Sequence, residues 1–91
     1  MVAASFLSVR ARVARALLRF AHHLGEDAGA GQIRIRHKIT QSDLAAMAGV
    51  ARESVSRTLG EWSRRKILDS ASRAGFVVHK AKLESEAAAA E

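Results

Sequence analysis

The chain has 91 residues, with 15 lysine and arginine residues against 9 acidic ones, a formal charge of +6, and no cysteine or proline. This length accommodates one domain, and the 48% apolar content is typical of a globular chain. Disulfides, zinc–thiolate sites and cysteine nucleophiles are excluded. The apolar runs are too short to cross a bilayer and no signal-peptide pattern begins the chain, so a cytoplasmic location is expected.

The positive charge is concentrated in the first two thirds of the sequence. Residues 1–24 carry four arginines and no acid, residues 32–66 carry eight basic and three acidic groups, and the remainder from Ile67 has a net charge of −1. A domain with this excess of positive charge attracts a polyanion. A solubilising excess of charge is the alternative explanation.

A first amphipathic helix is expected from about Ser5 to Leu24. Apolar side chains recur there at the helical period and predict a buried stripe of Val9, Val13, Ala16, Leu17, Phe20 and Leu24. Arginines occupy much of the remaining surface. A solvated face is the plainer interpretation of these arginines, with contact to phosphate or to a membrane surface as the alternatives.

The next segment predicts a loop and then a strand. The glycine-rich, acidic run Gly25–Gly31 favours a loop, with Gly25 as the C-cap of the preceding helix. From Gln32 to His37 apolar and basic residues alternate, with Ile33 and Ile35 on one face. This alternation is typical of a short, half-buried strand.

A short helix is predicted to begin at Thr40, because Thr40 and Asp43 have the spacing of a capping box. Its inner stripe is expected to consist of Leu44, Met47 and Ala48. Gly49 follows at the position where the chain needs a left-handed turn residue.

A second helix is predicted from about Arg52 to Arg65. Its core face is expected to contain Val55, Leu59 and Trp62. The opposite face is polar and carries Arg52, Glu53, Ser56, Arg57 and Gly60. Polar groups so placed near a helix N-terminus are suited to base edges in a DNA major groove. An ordinary i,i+4 ion pair between Glu53 and Arg57 is the alternative, and the two roles are compatible.

Two strands are predicted at Ile67–Ala71 and Phe76–His79, with Arg73 near the tip of the turn between them. The pattern as a whole predicts a mainly α fold with a small β-hairpin, a winged helix-turn-helix. Residues 1–91 would form one domain, with the helix-turn-helix at 40–65 and the wing at 67–79. The alanine-rich end, Lys80–Glu91, is expected to be a fraying helical turn or two without chemistry of its own.

Four further basic residues are candidates for sequence-independent phosphate contacts, or are simply solvated: Lys38, Arg64, Lys66 and Arg73. No serine–histidine–carboxylate set or paired carboxylates suggest a catalytic site. The four histidines lack metal-ligand spacing. We therefore expect no enzymatic activity, no metal site and no cofactor in this chain.

The stretch I-T-Q-S-D-L-A-A-M-A-G-V-A-R-E-S-V-S-R-T-L, residues 39–59, resembles the DNA-binding domain of the Crp–Fnr family of bacterial transcription regulators. That family typically shows I-T-x-x-x-[IL]-A-x-x-x-G-x-S-R-E-[ST]-V-[SG]-R-x-[LI], a long and gapless motif. The similarity covers most of the chain, from the first helix through the wing. It implies transcription regulation through double-stranded DNA. We expect no membrane partner, because Val13, Leu17 and Phe20 of the first helix are expected to belong to the core.

The resemblance implies roles residue by residue. Arg52, Glu53 and Arg57 match base-contacting positions of the cyclic-AMP receptor branch. Glu53, Ser56 and Arg57 match the Glu-x-x-Ser-Arg set of the fumarate–nitrate branch. Because the sequence contains both sets, they do not decide to which branch it belongs. Arginine and glutamate suit G·C pairs, and the family implies a TGA-containing half-site.

Other parts of the resemblance concern phosphate and protein partners. Thr40 and Gln41 match the start of the first motif helix, where family members contact backbone phosphate. The loop at Gly25–Gly31 lies near a surface with which some members contact RNA polymerase, so RNA polymerase is a second expected partner. Family members bind DNA as homodimers.

Two departures from the family pattern bear on function. Ala51 stands where the family usually has serine as N-cap, a change that typically removes ~1 kcal/mol of capping. The family's effector-binding domain and most of its dimerisation helix have no counterpart here. We therefore expect a monomer or weak dimer, and a small-molecule or redox effector only for a missing sensor domain. A winged-helix module that binds protein and does not read DNA sequence is the competing hypothesis.

Overall fold

The computed structural model describes residues 8–36, 38–69 and 76–88, which form four helices and one four-stranded antiparallel sheet. In chain order the elements are α1 (Val9–Leu24), β1 (Gly25–Gly29), β2 (Gln32–Ile35), α2 (Gln41–Ala48), α3 (Arg52–Arg64), β3 (Leu68–Asp69), β4 (Phe76–His79) and α4 (Lys80–Ala88). The predicted mainly helical fold with a β-hairpin is confirmed. The predicted turn at 70–75, with Arg73, lies outside the described residues, as does the predicted start of the first helix at Ser5.

Helix α1 begins after Ser8, whose hydroxyl accepts a hydrogen bond from the Ala11 amide at 3.0 Å. Its buried side consists of Ala11, Val13, Ala14, Ala16, Leu17 and Ala21. Val9, predicted to be buried, is instead 42% exposed, while Phe20 and Leu24 are half-buried against the core. The buried stripe differs from the prediction because α2 and α4 both pack on α1, and its alanines allow that approach.

The prediction of a loop at Gly25–Gly31 is wrong, because this segment forms strand β1 and a turn into β2. The two strands pair antiparallel, from Gly25 opposite Ile35 to Gly29 opposite Gln32. The sheet order is β1-β2-β4-β3, which places β1 at an edge. An edge strand has solvent on one side, so a polar, glycine-rich sequence is compatible with it.

Gly25 ends α1, as predicted, and its amide donates to the carbonyl oxygen of Ala21. Its backbone is extended and not left-handed, with φ −85° and ψ 157°. A Cβ at this position would overlap the Ala21 carbonyl and the Ile33 side chain. The close approach of helix and strand therefore requires glycine here.

The capping box predicted at the start of α2 is confirmed. The Asp43 amide donates to the Thr40 hydroxyl, and the Thr40 amide donates to an Asp43 carboxylate oxygen, both at 3.0 Å. The hydrogen bonds from the Thr40 backbone and side chain lower the pKa of Asp43. Gly49 then ends the helix with φ +70° and ψ 38°, the left-handed conformation that the sequence predicts.

The inner stripe of α2 differs from the prediction at one residue. Leu44 and Ala45 are buried and Ala48 is half-buried, whereas Met47 is 44% exposed. Residues 44, 45 and 48 lie within about 100° of one another around a helix, and residue 47 lies outside that arc. Met47 therefore faces away from the core.

Helix α3 and strand β2 are close to their predicted positions. The predicted core face of α3 is confirmed, since Val55 and Trp62 have no exposed surface and Leu59 is 7% exposed. In β2, Ile35 is buried and Ile33 is half-buried. These side chains and the buried side of α1 belong to one hydrophobic core.

The C-terminal segment is helical, as expected, but it packs against the core where a fraying end was expected. Residues Lys80–Ala88 form helix α4, which packs on α1 and buries Leu83, Glu86 and Ala87. The Arg15 Nε–H donates to the Ala87 carbonyl oxygen at 3.1 Å and ties the end of α4 to α1. The sequence shows no clear apolar stripe here, because Leu83 and Ala87 share the inner face of the helix with a buried acid, Glu86.

The wing strands pair as expected over the residues that the structure describes. Leu68 lies opposite Val78 and Asp69 opposite Val77. Across residues 8–36, 38–69 and 76–88, no helix combines the length and the apolar character that a membrane span needs.

Candidate nucleic-acid interface

The outward face of α3 presents the polar set that the sequence predicts. Arg52, Glu53, Ser56 and Arg57 are all exposed, on the side opposite the buried residues of the helix. Gln41, at the start of α2, lines the same shallow depression as three of them. The structure therefore brings the first turn of α2 beside the first turns of α3.

The charged side chains of this face have no partner within the described residues. Arg52, Glu53 and Arg57 form neither ion pairs nor side-chain hydrogen bonds in the parts of the chain that the structure describes. The i,i+4 ion pair between Glu53 and Arg57, the simpler alternative, is thus not formed in this structure. All three groups are available to a ligand without first breaking an internal contact.

The N-terminus of α3 lacks a side-chain cap. Ala51 occupies the N-cap with an extended backbone, and its carbonyl oxygen accepts from the Ser54 and Val55 amides at 3.0 and 3.2 Å. The first amides of a helix have no intrahelical acceptor, and with the helix dipole they favour an anion.

We expect Ala51→Ser to raise the free energy of unfolding by ~1 kcal/mol, because a serine hydroxyl accepts from an amide in the first turn. Ala46→Ser, at an exposed interior position of α2, is the matched control and should lower it by about 0.5 kcal/mol. Urea denaturation followed by circular dichroism measures both. Equal effects of the two substitutions would contradict the N-cap assignment.

The candidate phosphate-contacting residues lie in two groups. Thr40, Gln41 and Lys38 precede or begin α2, and Thr40 and Lys38 are exposed. Arg64 and Lys66 lie at the other end of α3, also exposed.

Arg64 extends the polar face of α3. A Cβ added at Gly60 would lie 3.7 Å from Nη1 of Arg64. The guanidinium therefore lies near Gly60, one turn beyond Ser56. Lys66 has φ +62° in the turn after α3, and Arg73 is outside the described residues.

Sequence reasoning missed a partly buried polar cluster at the C-terminal end of α3, in which Trp62 and Glu86 are buried and Arg65 is 45% exposed. The Trp62 indole N–H donates to Glu86 Oε1 at 3.1 Å. Arg65 donates to both oxygens of the same carboxylate, at 3.4 and 3.3 Å. Arg10 and Glu61 lie at its rim, with Arg10 at 3.8 Å from Glu86 and 3.9 Å from Glu61. Only the helical spacing of Glu86 from Leu83 hinted that this acid faces inward.

The cluster holds Glu86 in its charged form. Burial raises the pKa of Glu86, but the hydrogen bonds from Trp62 and Arg65 and the charges of Arg65 and Arg10 lower it by more in total. The folded-state pKa thus lies below the ordinary value of 4.5. The contribution of Glu86 to stability is therefore complete at neutral pH and is lost as the pH falls through the folded-state pKa.

No set of three histidine or acidic side chains within the described ranges is arranged to hold a metal ion.

The comparisons with known proteins agree on one family. The sequence model of the Crp-like helix-turn-helix domain matches residues 11–85. A "CRP-like cAMP-activated global transcriptional regulator" of Mycobacterium tuberculosis is 37% identical over 60 residues, which are 66% of this chain and 26% of that protein. The chain thus spans about a quarter of the length of the curated relatives it matches.

Solved structures show the same fold. A CRP/FNR-family transcriptional regulator from Thermus thermophilus superposes with a TM-score of 0.75 at 24% identity, over 96% of this chain and 44% of that one. FixK2 from Bradyrhizobium japonicum superposes with a TM-score of 0.69 at 27% identity, over 92% and 40%. The fold is a winged helix-turn-helix, and the chain belongs to the Crp-like helix-turn-helix domain family.

Proposed function

We propose that this chain binds double-stranded DNA sequence-specifically by inserting α3 into the major groove, and that it regulates transcription in this way. The exposed and unpaired Arg52, Glu53 and Arg57 carry the proposal, because the opposite face of the same helix is fixed in the core. The family and the regulator relatives support DNA-binding transcription regulation and favour a regulator over an enzyme.

Base recognition follows from the chemistry of these side chains. An arginine makes a bidentate contact with O6 and N7 of guanine, and a glutamate accepts from the amino group of cytosine. Arg52, Arg57 and Glu53 therefore suit a half-site with G·C pairs, such as the TGA element that the sequence resemblance implies. Ser56 contributes a hydroxyl that serves as donor or acceptor on the same face.

Phosphate contacts on both sides of the groove would orient the helix. Gln41 lines the same depression as Arg52, and Thr40 and Lys38 precede it in the chain. Arg64 ends α3 and Lys66 follows it. We assign Arg73 of the wing to the same role. Such contacts carry no sequence information and make affinity salt-dependent, because each neutralised phosphate releases counterions.

The remaining partners in this proposal follow the family. Two copies would bind a two-fold site with recognition helices one DNA turn, ~34 Å, apart. The β1–β2 hairpin would lie where some family members contact RNA polymerase. An effector, whether a small molecule or a redox signal, would act on a sensor domain and not on these residues. The protein would act in the cytoplasm.

Amide chemical-shift mapping on a short TGA-containing duplex tests the proposal, since a 9.8 kDa chain is well suited to it. We expect the largest changes in the first two turns of α3 and at Thr40 and Gln41, with little change in α4. Shifts confined to other surfaces, or none at low salt, would favour the protein-interaction module. Binding of the chain to lipid vesicles would revive the membrane-surface role of α1.

A further inference from the structure

We propose that Glu86 is a positioning residue for DNA recognition, whose carboxylate fixes the C-terminal end of α3 and thereby sets the angle at which the polar face of that helix meets DNA. The inference rests on the proposed function. It also gives α4, for which the sequence suggested no role, a specific one.

The carboxylate of Glu86 links α4 to the C-terminal end of α3 and, through an ion pair with Arg10 at 3.8 Å, to α1. It is 8% exposed and accepts hydrogen bonds from Trp62 and from both terminal nitrogens of Arg65. Trp62 lies in the last turn of α3, and Arg65 is its C-cap. Helix α4 is in turn held on α1, through buried Leu83 and through the hydrogen bond from Arg15 to the Ala87 carbonyl oxygen.

Hydrogen bonds fix the orientation of the groups that they join, which apolar packing alone does not. A buried indole N–H requires an acceptor, and within the described residues Glu86 is the acceptor it has. Arg65 donates to both oxygens of this carboxylate, at 3.4 and 3.3 Å, and a guanidinium that bridges both oxygens constrains orientation as well as distance. Glu86 of α4 therefore constrains the rotation of Trp62 and Arg65 at the end of α3, in addition to the packing of α3 on α1, α2 and β3.

The base-contacting residues lie at the other end of the same rigid helix. Ten residues separate Arg52 from Trp62, a distance of about 15 Å along the axis. A tilt of about 4° at the anchored end displaces the first turn by about 1 Å, whereas a binding constellation must be held within about 0.5 Å. Weakening the hydrogen bonds of Glu86 should therefore reduce the preference for one DNA sequence over another more than it reduces the sequence-independent affinity for DNA.

The test compares Glu86→Gln with Glu84→Gln. Both substitutions remove one negative charge from α4, and Glu84 is exposed, so any general electrostatic gain is shared. We expect the ratio of affinities for a TGA duplex and a scrambled duplex to fall about fivefold in Glu86→Gln, because the glutamine amide nitrogen cannot accept the hydrogen bond that Arg65 gives to the second carboxylate oxygen. The ratio should be unchanged in Glu84→Gln.

A second measurement, made without DNA, is the fluorescence of the single tryptophan of the chain. Because the Trp62 indole donates to Glu86, its emission maximum at neutral pH should shift in Glu86→Gln and not in Glu84→Gln. Amide hydrogen exchange in the last turn of α3 should be faster in Glu86→Gln alone. If Glu86→Gln does not fold, Arg65→Met replaces it in both measurements, and Arg19→Met on α1 is its control. We expect the same fall in the ratio of affinities for the TGA and scrambled duplexes.

The outcomes separate the two proposals. If the wild-type chain prefers the TGA duplex and Glu86→Gln keeps that preference, the positioning role is wrong, whatever the Trp62 emission and amide exchange show, and the proposed function stands. If the wild-type chain shows no preference, the proposed function fails and the positioning role for recognition fails with it. A loss of preference confined to Glu86→Gln or Arg65→Met supports both.

Discussion

Replacing Arg57 with alanine is expected to weaken binding to a TGA-containing duplex by roughly 10- to 100-fold and to leave binding to a scrambled duplex almost unchanged. Arg57 is exposed and has no partner within the described part of the chain, so the loss reflects only the contact with the base. A bidentate arginine–guanine pair contributes ~1–3 kcal/mol of discrimination. Competition binding on duplexes with single base-pair changes measures the effect and locates the base pair concerned.

Arg52→Ala should give a second, separate loss at a different base pair, since Arg52 lies more than one turn away on α3. Arg19→Ala is the matched control, because Arg19 is also exposed but lies on α1. All three variants lose one positive charge and should share the small, sequence-independent decrease in affinity. Equal decreases on every duplex for all three would show that α3 does not read bases.

Replacing Trp62 with alanine should lower the free energy of unfolding by ~3–5 kcal/mol, which is the usual cost of truncating a buried aromatic side chain. Trp62 is fully buried and belongs to the hydrophobic core. The substitution also removes the indole donor from Glu86. For a domain of this size the melting temperature should fall by at least about 12 °C. Circular dichroism is the appropriate probe, since the variant has no tryptophan.

Trp62→Phe separates packing from hydrogen bonding. It keeps an aromatic ring in the core but removes the indole N–H, so a buried Glu86 oxygen loses one donor while Arg65 remains. We expect a smaller loss of ~1–3 kcal/mol. A Trp62→Ala variant as stable as wild type would contradict the placement of this side chain.

The helix-turn-helix could be predicted from the sequence because its signals are local. The capping box at Thr40 and Asp43 closes within one turn, and the left-handed turn at Gly49 depends on a single residue. The faces of α3 follow from helical periodicity alone, which placed Val55 and Trp62 in the core and Arg57 outside.

Other features depend on contacts between distant parts of the chain. Strand β1 exists because the backbone of β2 lies beside it, and its own side chains carry no strand pattern. Glu86 is buried because Trp62, 24 residues earlier, offers it a donor. Helical spacing predicts Val9 and Met47 in the core, but both are exposed, because the cover over a helix depends on where the neighbouring helices lie.

Sequence-specific DNA binding is tested most directly by fluorescence anisotropy of the 91-residue chain on a TGA half-site duplex and on a scrambled duplex, across a series of salt concentrations. We predict tighter binding to the TGA duplex throughout, with affinity falling steeply as salt rises because phosphate contacts release counterions. Equal affinity for the two duplexes, or no binding even at low salt, would contradict base recognition by α3.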